Sequence, residues 1–168
     1  WHDYRERCDN NDICDVPPMT ILNEANQHTD STKIILDSEN HTVFMEENMG
    51  LDLGGVSKGY VSREILEYLS QFELHGFLLN NGESNISIGG IHPTRENTKF
   101  IIAITDPTFE LPYYATIYLS DNEQLVTSGD YQKFYTVDGQ KYHHIIHPTT
   151  LMPESYSRSV SIITTDPA

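Results

Sequence analysis

The run Asp52-Leu53-Gly54-Gly55-Val56-Ser57-Lys58-Gly59-Tyr60 has residue types that suit the binding of a phosphorylated ligand. Two consecutive glycines between a strand and a helix let backbone N–H and C=O groups approach a ligand closely. The start of the following helix offers unpaired N–H donors and a partial positive charge suited to phosphate. Lys58 can neutralise a phosphate, and Asp52 can accept from an amide or a hydroxyl. The same residues also suit a plain strand-to-helix turn, with Ser57 as N-cap and Lys58 in solvent. The run is neither a Walker loop nor a GxGxxG fingerprint.

Three further segments carry polar groups in useful places. Leu79-Asn80-Asn81-Gly82-Glu83-Ser84-Asn85-Ile86 follows an apolar stretch, and asparagine amides can pair with the edges of a flat heterocycle. Loops at strand ends are common ligand sites because a rigid sheet positions them, although an ordinary hairpin loop has the same composition. Val126-Thr127-Ser128-Gly129-Asp130-Tyr131 could line a pocket or form a simple turn. In Tyr142-His143-His144-Ile145-Ile146-His147-Pro148, a strand would send His143, Ile145 and His147 to one face and His144 and Ile146 to the other. His143 and His147 could then form a two-histidine metal face, or be exposed or satisfied by backbone. His144, alone on its side, is a candidate general base, since imidazole titrates near neutrality.

The elements that must position these groups follow from period and turn chemistry. Residues 1–32 are polar, with loops at Asp9-Asn10-Asn11-Asp12 and Pro17-Pro18 and a short helix over Met19–Asn26. Lys33–Leu36 and Thr42–Met45 read as strands around Asp37-Ser38-Glu39-Asn40. Val61, Ile65, Leu66, Leu69 and Phe72 form a helical apolar stripe that His75-Gly76 ends, and Phe77-Leu78-Leu79 reads as a buried strand. Phe100–Thr105, Tyr114–Leu119, Phe134–Val137, Tyr142–Ile146 and Ser159–Thr164 read as strands, with Asp138-Gly139 a strong hairpin signal. The pattern predicts an α+β fold with mixed, largely antiparallel sheets and flanking helices, in a single domain over residues 1–168.

Composition narrows the classes. With 38% apolar residues the chain is globular rather than disordered. The net charge of −15 repels nucleic-acid phosphates, so no nucleic-acid role is expected. That charge also disfavours an anionic cofactor at long range, so one would need backbone N–H groups, a lysine or a metal ion. Cys8 and Cys14 are too few for a disulfide framework or a zinc site; they read either as one disulfide or as two free thiols.

Taken in order, the four segments resemble the motifs of the ApbE family of FAD:protein FMN transferases. Residues 52–60 fit that family's D-[LIV]-G-G-x-[AS]-K-G-Y. Residues 80–85 fit N-x-G-G-S-N, with Glu83 in place of the second glycine. Residues 127–131 fit T-S-G-D-Y, and residues 144–153 resemble H-[IV]-[IL]-D-P-x-T-G-x-P, with His147 at the aspartate. The resemblance implies that Asp52, Lys58 and Ile146 contact FAD. It implies that Asn80, Asn81, Gly82, Ser84 and Asn85, with Thr127, Ser128 and Gly129, line the FAD pocket. Gly55 would offer its carbonyl to Mg²⁺, and His144 would deprotonate the acceptor threonine.

The implied reaction is Mg²⁺-dependent transfer of FMN from FAD to a threonine or serine of an acceptor protein carrying a flavinylation motif, with release of AMP. FAD hydrolysis and non-catalytic flavin binding are the alternatives. The family's opening strands would precede residue 1, and its other magnesium ligands, in a D-A-x-[ST]-T segment, would follow residue 168. The chain thus reads as a fragment of the full domain. By the same resemblance the protein belongs to the bacterial cell envelope on the extracytoplasmic side, with a membrane tether outside this segment.

Overall fold

Two stretches far apart in sequence build each of two units in the computed structural model, which describes residues 1–10, 13–82, 84–95 and 99–167. The first unit joins Trp1–Asp52 to Gln132–Tyr156; the second joins Leu53–Tyr131 to Ser157–Ala168. The elements make the expected α+β fold, and every named ladder is antiparallel. Among the described residues no helix is long and apolar enough to cross a membrane.

In the first unit, helix α1 (His2–Asp9) occupies a polar stretch to which the sequence assigns no element, and it ends at the first residue of the expected loop. It buries no side chain, so no apolar period announces it. It is supported instead by the i,i+4 pairs His2–Glu6 and Arg5–Asp9, with Asp3 in the first turn and Arg7 in the last, as the helix dipole favours. Cys8, in the last turn of α1, forms a disulfide with Cys14, which removes the free-thiol alternative. Helix α2 (Met19–Asn26) starts where Pro18 ends the loop, and it buries Leu22. Strands β1 (Ile35–Asp37) and β2 (Thr42–Phe44) pair around the expected turn.

Strands β8 (Phe134–Val137) and β9 (Gln140–His143) pair across Asp138 and Gly139, whose φ values of 50° and 79° suit a tight hairpin turn. The expected strand Tyr142–Ile146 therefore ends early. The register pairs Phe134 with His143, so β8 has no residue left to partner His144. The expected alternation of histidine faces holds for one step, with His143 buried and His144 exposed, and then stops, since Ile145, Ile146 and His147 are all half-buried.

In the second unit, helix α3 (Ser57–Leu69) packs on a sheet of order β10-β7-β4-β3. Its strands are β3 (Gly76–Asn80), β4 (Asn85–Gly90), β7 (Gln124–Gly129) and β10 (Ser159–Thr164). The helix ends at Leu69, short of His75-Gly76. Ile65, Leu66 and Leu69 are half-buried, while Val61 and Phe72 stay exposed. A separate ribbon of β5 (Phe100–Ile104) and β6 (Ala115–Leu119) turns Phe100, Ile102 and Ile104 inward. With Leu119, Ile88 and Leu125 they form the apolar core. Each such side chain contributes about 1.5–3 kcal/mol by leaving water.

Strands β4 and β7 run through segments expected to be loops. Their polar residues are internally satisfied: the Ser87 hydroxyl donates to Gln124 Oε1 at 2.6 Å, and both side chains are fully enclosed. A polar sequence here does not mean a solvated one.

Candidate functional site

In the second unit the glycine turn closes on Leu53, whose carbonyl accepts from the N–H groups of Val56 and Ser57 at 3.0 and 2.8 Å. Gly54 and Gly55 are exposed. Ser57 is the first helical residue rather than the N-cap; Val56 holds that position, and no side chain caps the helix. With the Ser57 N–H taken by Leu53, an anion at this turn would meet the N–H groups that follow it, which no side chain caps among the described residues.

The asparagine loop is fastened to that turn. Lys58 Nζ donates to Ser84 Oγ at 2.8 Å, and Asn81 Nδ2 donates to the Lys58 carbonyl at 3.2 Å. Gly82 adopts φ 69°, a left-handed conformation that bends the loop between these contacts. The loop closes on itself through Asn81 N–H to the Asn85 carbonyl at 2.9 Å. It reaches β7 through Thr127 N–H to the Ser84 carbonyl at 2.8 Å. Three motifs distant in sequence are thereby joined within one unit. Glu83 lies outside the described residues.

The candidate residues of this unit differ in exposure. Lys58, Asn80, Gly82 and Ser128 are exposed, Asn81, Ser84, Thr127 and Gly129 are half-buried, and Asn85 is enclosed at 2%. Thr127 Oγ1 shares a hydrogen bond with Ser161 Oγ at 2.9 Å. Gly129 is required by packing, because a Cβ there would overlap the Tyr131 ring.

In the first unit Asp52 and His144 line one pocket of about 290 Å³, with Arg5, Lys133, Tyr135 and Tyr142. Trp1 and Tyr142 are stacked, as are Tyr142 and Tyr135, with centroids 5.6 and 5.7 Å apart. Burial, reinforced by the negative charge of Asp15, pushes the Tyr135 phenol up to about 12. His144 is exposed, and its Nδ1 lies 3.3 Å from the Lys133 carbonyl. A carbonyl only accepts, so this contact puts the proton on Nδ1 and leaves the Nε2 lone pair available as a base.

His147 stands where the motif has aspartate, and it does work a carboxylate could do. Its Nδ1 accepts from the N–H groups of Thr149 and Thr150 at 3.1 and 3.3 Å. Nε2 then carries the proton, 4.0 Å from Glu154 Oε2. Leu151 takes φ 59° at the motif's glycine position, and its carbonyl accepts from Trp1 Nε1 at 2.8 Å. Ile146 bridges to Pro153. Of the alternatives for His143 and His147, satisfaction by backbone is the one seen: His143 accepts from the Ile145 N–H through Nδ1 while His147 serves the following turn.

A magnesium site does not assemble from the residues present. Among the described residues no cluster of three histidine, cysteine or acidic side chains could hold a metal ion, and one carbonyl from Gly55 is not a site for a cation that seeks octahedral oxygen ligands. Sequence reasoning also missed the aromatic wall of the first-unit pocket. The signal was available: counting back from Asp138-Gly139 places Tyr135 opposite Tyr142. The internal partners of Lys58 had no such signal, lying 23 and 26 residues away.

Comparison with known proteins agrees with these motifs. The chain matches the ApbE family over residues 2–168. It is 31% identical over 153 residues to an FAD:protein FMN transferase of Klebsiella pneumoniae, covering 90% of this chain and 46% of the relative. It is 29% identical to one of Treponema pallidum, covering 82% and 41%. The chain spans about half the length of the curated relatives it matches.

Among solved structures, the ApbE protein of Thermotoga maritima superposes with a TM-score of 0.80 at 30% identity, covering 91% of this chain and 48% of that one. The apo flavinyl transferase ApbE of Pseudomonas stutzeri shares the fold, with a TM-score of 0.71 at 21% identity over 91% of this chain and 46% of its own. A match across nearly the whole chain, with four ordered motifs, shows that the chain belongs to the ApbE family.

Proposed function

We propose that this chain is part of an FAD:protein FMN transferase, contributing the grip on the FAD diphosphate and the base that readies the accepting hydroxyl. The observation that most supports this is the Lys58 ammonium, held by Ser84 in the uncapped first turn of α3. A fixed cation beside the start of a helix suits a diphosphate and stabilises charge that builds on it during transfer.

The reaction moves FMN from FAD to a threonine, or serine, of an acceptor protein. The acceptor oxygen bonds to the phosphorus on the FMN side of the diphosphate. The bond from that phosphorus to the bridging oxygen breaks, and AMP leaves with that oxygen. The hydroxyl proton goes to Nε2 of His144, which Nδ1 orients through the Lys133 carbonyl. From the imidazolium it passes to the departing phosphate or to solvent. Mg²⁺ dependence belongs to the proposal for the whole protein, and no step above is routed through the metal.

The protein would work on the extracytoplasmic side of a bacterial envelope, tethered outside this segment. The Cys8–Cys14 disulfide supports an oxidising compartment.

The test mixes the protein with FAD, Mg²⁺ and a threonine-containing acceptor, and repeats the mixture with Mg²⁺ omitted. Flavin fluorescence on the acceptor band in a denaturing gel is expected. AMP without labelling would replace transfer with hydrolysis, and quenched FAD with neither product would leave a binding module. FAD that is not quenched at all overturns the proposal.

A further inference from the structure

Lys58 is gripped at two points by one loop. The Asn81 amide holds its backbone carbonyl at 3.2 Å, and the Ser84 hydroxyl holds its ammonium at 2.8 Å. The grip is anchored on both sides. Asn81 Nδ2 also lies 3.4 Å from Oγ of Ser62, a fully buried residue on the next turn of α3. The Ser84 carbonyl accepts from Thr127 N–H at 2.8 Å, which ties the loop to β7.

We propose that Asn81 and Ser84 are positioning residues that act through Lys58, setting its ammonium in place before an anionic ligand arrives, with Ser62 as the buried seat of the clamp. The amide hydrogens of Asn81 are directed at α3 rather than at a ligand, and the Ser84 oxygen already accepts from Lys58. A lysine has a flexible stem with much rotamer freedom to lose when its ammonium is pinned. Losing that freedom during folding rather than during binding makes the ligand contact tighter, which is preorganisation. This inference rests on the reading of Lys58 as a diphosphate contact, and it assigns the two motif side chains a different task from lining the flavin pocket.

A double-mutant cycle on FAD affinity, read by flavin fluorescence quenching, separates the alternatives. Lys58→Ala is expected to weaken binding about tenfold, as loss of a charge-assisted contact does. Ser84→Ala is expected to weaken it about threefold through lost preorganisation. In the Lys58→Ala background, Ser84→Ala should cost nothing further, whereas with Lys58 present Ser84→Thr, which keeps the hydroxyl, should bind as the wild type does. Equal loss from Ser84→Ala in both backgrounds would mean that Ser84 touches the ligand itself, and the positioning role falls.

A ligand-free readout keeps the two readings apart. The ¹⁵N relaxation of the Lys58 ammonium should report greater mobility in Ser84→Ala than in wild type. Unchanged mobility overturns the positioning role whether or not FAD binds. Failure of the wild-type chain to bind FAD, with mobility rising as expected, sinks the diphosphate reading and leaves the clamp standing.

Discussion

The second unit draws its interior from aliphatic side chains on paired strands, Ile88, Ile102, Ile104, Leu119 and Leu125 with Phe100. In the first unit the buried side chains include Pro17, Leu22, Tyr135 and His143, and specific contacts carry more of the load. Trp1, Tyr142 and Tyr135 form a cluster of three mutually contacting rings, Trp1 Nε1 donates to the Leu151 carbonyl, and Tyr135 donates to the Asp15 carbonyl at 3.2 Å. A disulfide closes the segment after α1. Burial of area is non-directional and tolerates small shifts, whereas stacking, single hydrogen bonds and a crosslink each depend on one geometry. The candidate base is in the unit held by individual contacts; the candidate phosphate grip is in the unit with the apolar core.

That contrast predicts separable failures. The largest effect is chemical and belongs to the first unit. His144→Ala should lower acceptor labelling by about 100-fold or more, the usual worth of a general base, while FAD quenching stays unchanged. Labelling that persists would remove His144 from its role. Next in size is packing in the second unit. Leu119→Ala, at a fully enclosed position, should cost about 3 kcal/mol in urea unfolding followed by circular dichroism. Leu22→Ala in the first unit should cost less, because Leu22 lies outside the aliphatic cluster and is less fully enclosed than Leu119. Equal costs would mean that the two interiors depend on aliphatic packing alike.

How much of this was legible in the sequence depended on which force holds each element. Helix α2, strand β8 and strand β10 follow from proline placement, from the Asp138-Gly139 turn and from an uninterrupted β-forming run, all of which are local. Helix α1 was not legible, because it rests on ion pairs and buries nothing. Strands β4 and β7 were not legible for the opposite reason. Their Ser87 and Gln124 look solvated, yet each satisfies the other inside the sheet. At the candidate site the motif order was plain, but the division of labour within it was not. Nothing local says that the Asn81 amide faces α3, or that His147 can stand in for an aspartate by accepting two N–H groups through Nδ1.

The disulfide gives a mid-sized test of the first unit. Replacing Cys8 and Cys14 together by serine should cost about 2 kcal/mol, from the loop entropy regained by the unfolded chain. Trp1 is the chain's only tryptophan and stacks on Tyr142, so its emission reports this unit directly. The emission maximum should move to longer wavelength at lower urea in the variant. An unmoved midpoint would mean that the aromatic cluster holds α1 without the crosslink.

The smallest test is pH: both units hold carboxylates below their ordinary value, Asp30 and Asp37 in the first and Asp106 in the second, whereas the raised tyrosine, Tyr135, is in the first. Asp106, in the second unit, is held below its ordinary value by the Thr108 N–H, then the Thr108 hydroxyl and the Leu111 N–H. Its charged form is favoured in the folded state, so that stabilisation is complete above about pH 4 and is lost as pH falls through the lowered value. Tyr135, in the first unit, is pushed up to about 12, chiefly by burial. Its neutral form is favoured in the folded state, so that stabilisation is complete below about pH 10 and is lost as pH rises toward about 12. Acid should therefore weaken both units, the first through Asp30 and Asp37 and the second through Asp106, whereas alkali should weaken the first through Tyr135. Asp106→Asn should flatten only the acid limb of stability followed by circular dichroism. Tyr135→Phe should flatten only the alkaline limb followed by the Trp1 emission maximum, at a cost near neutrality of about 1 kcal/mol for the lost hydrogen bond to Asp15. An alkaline limb that survives Tyr135→Phe would show that some other group governs the first unit's response to base.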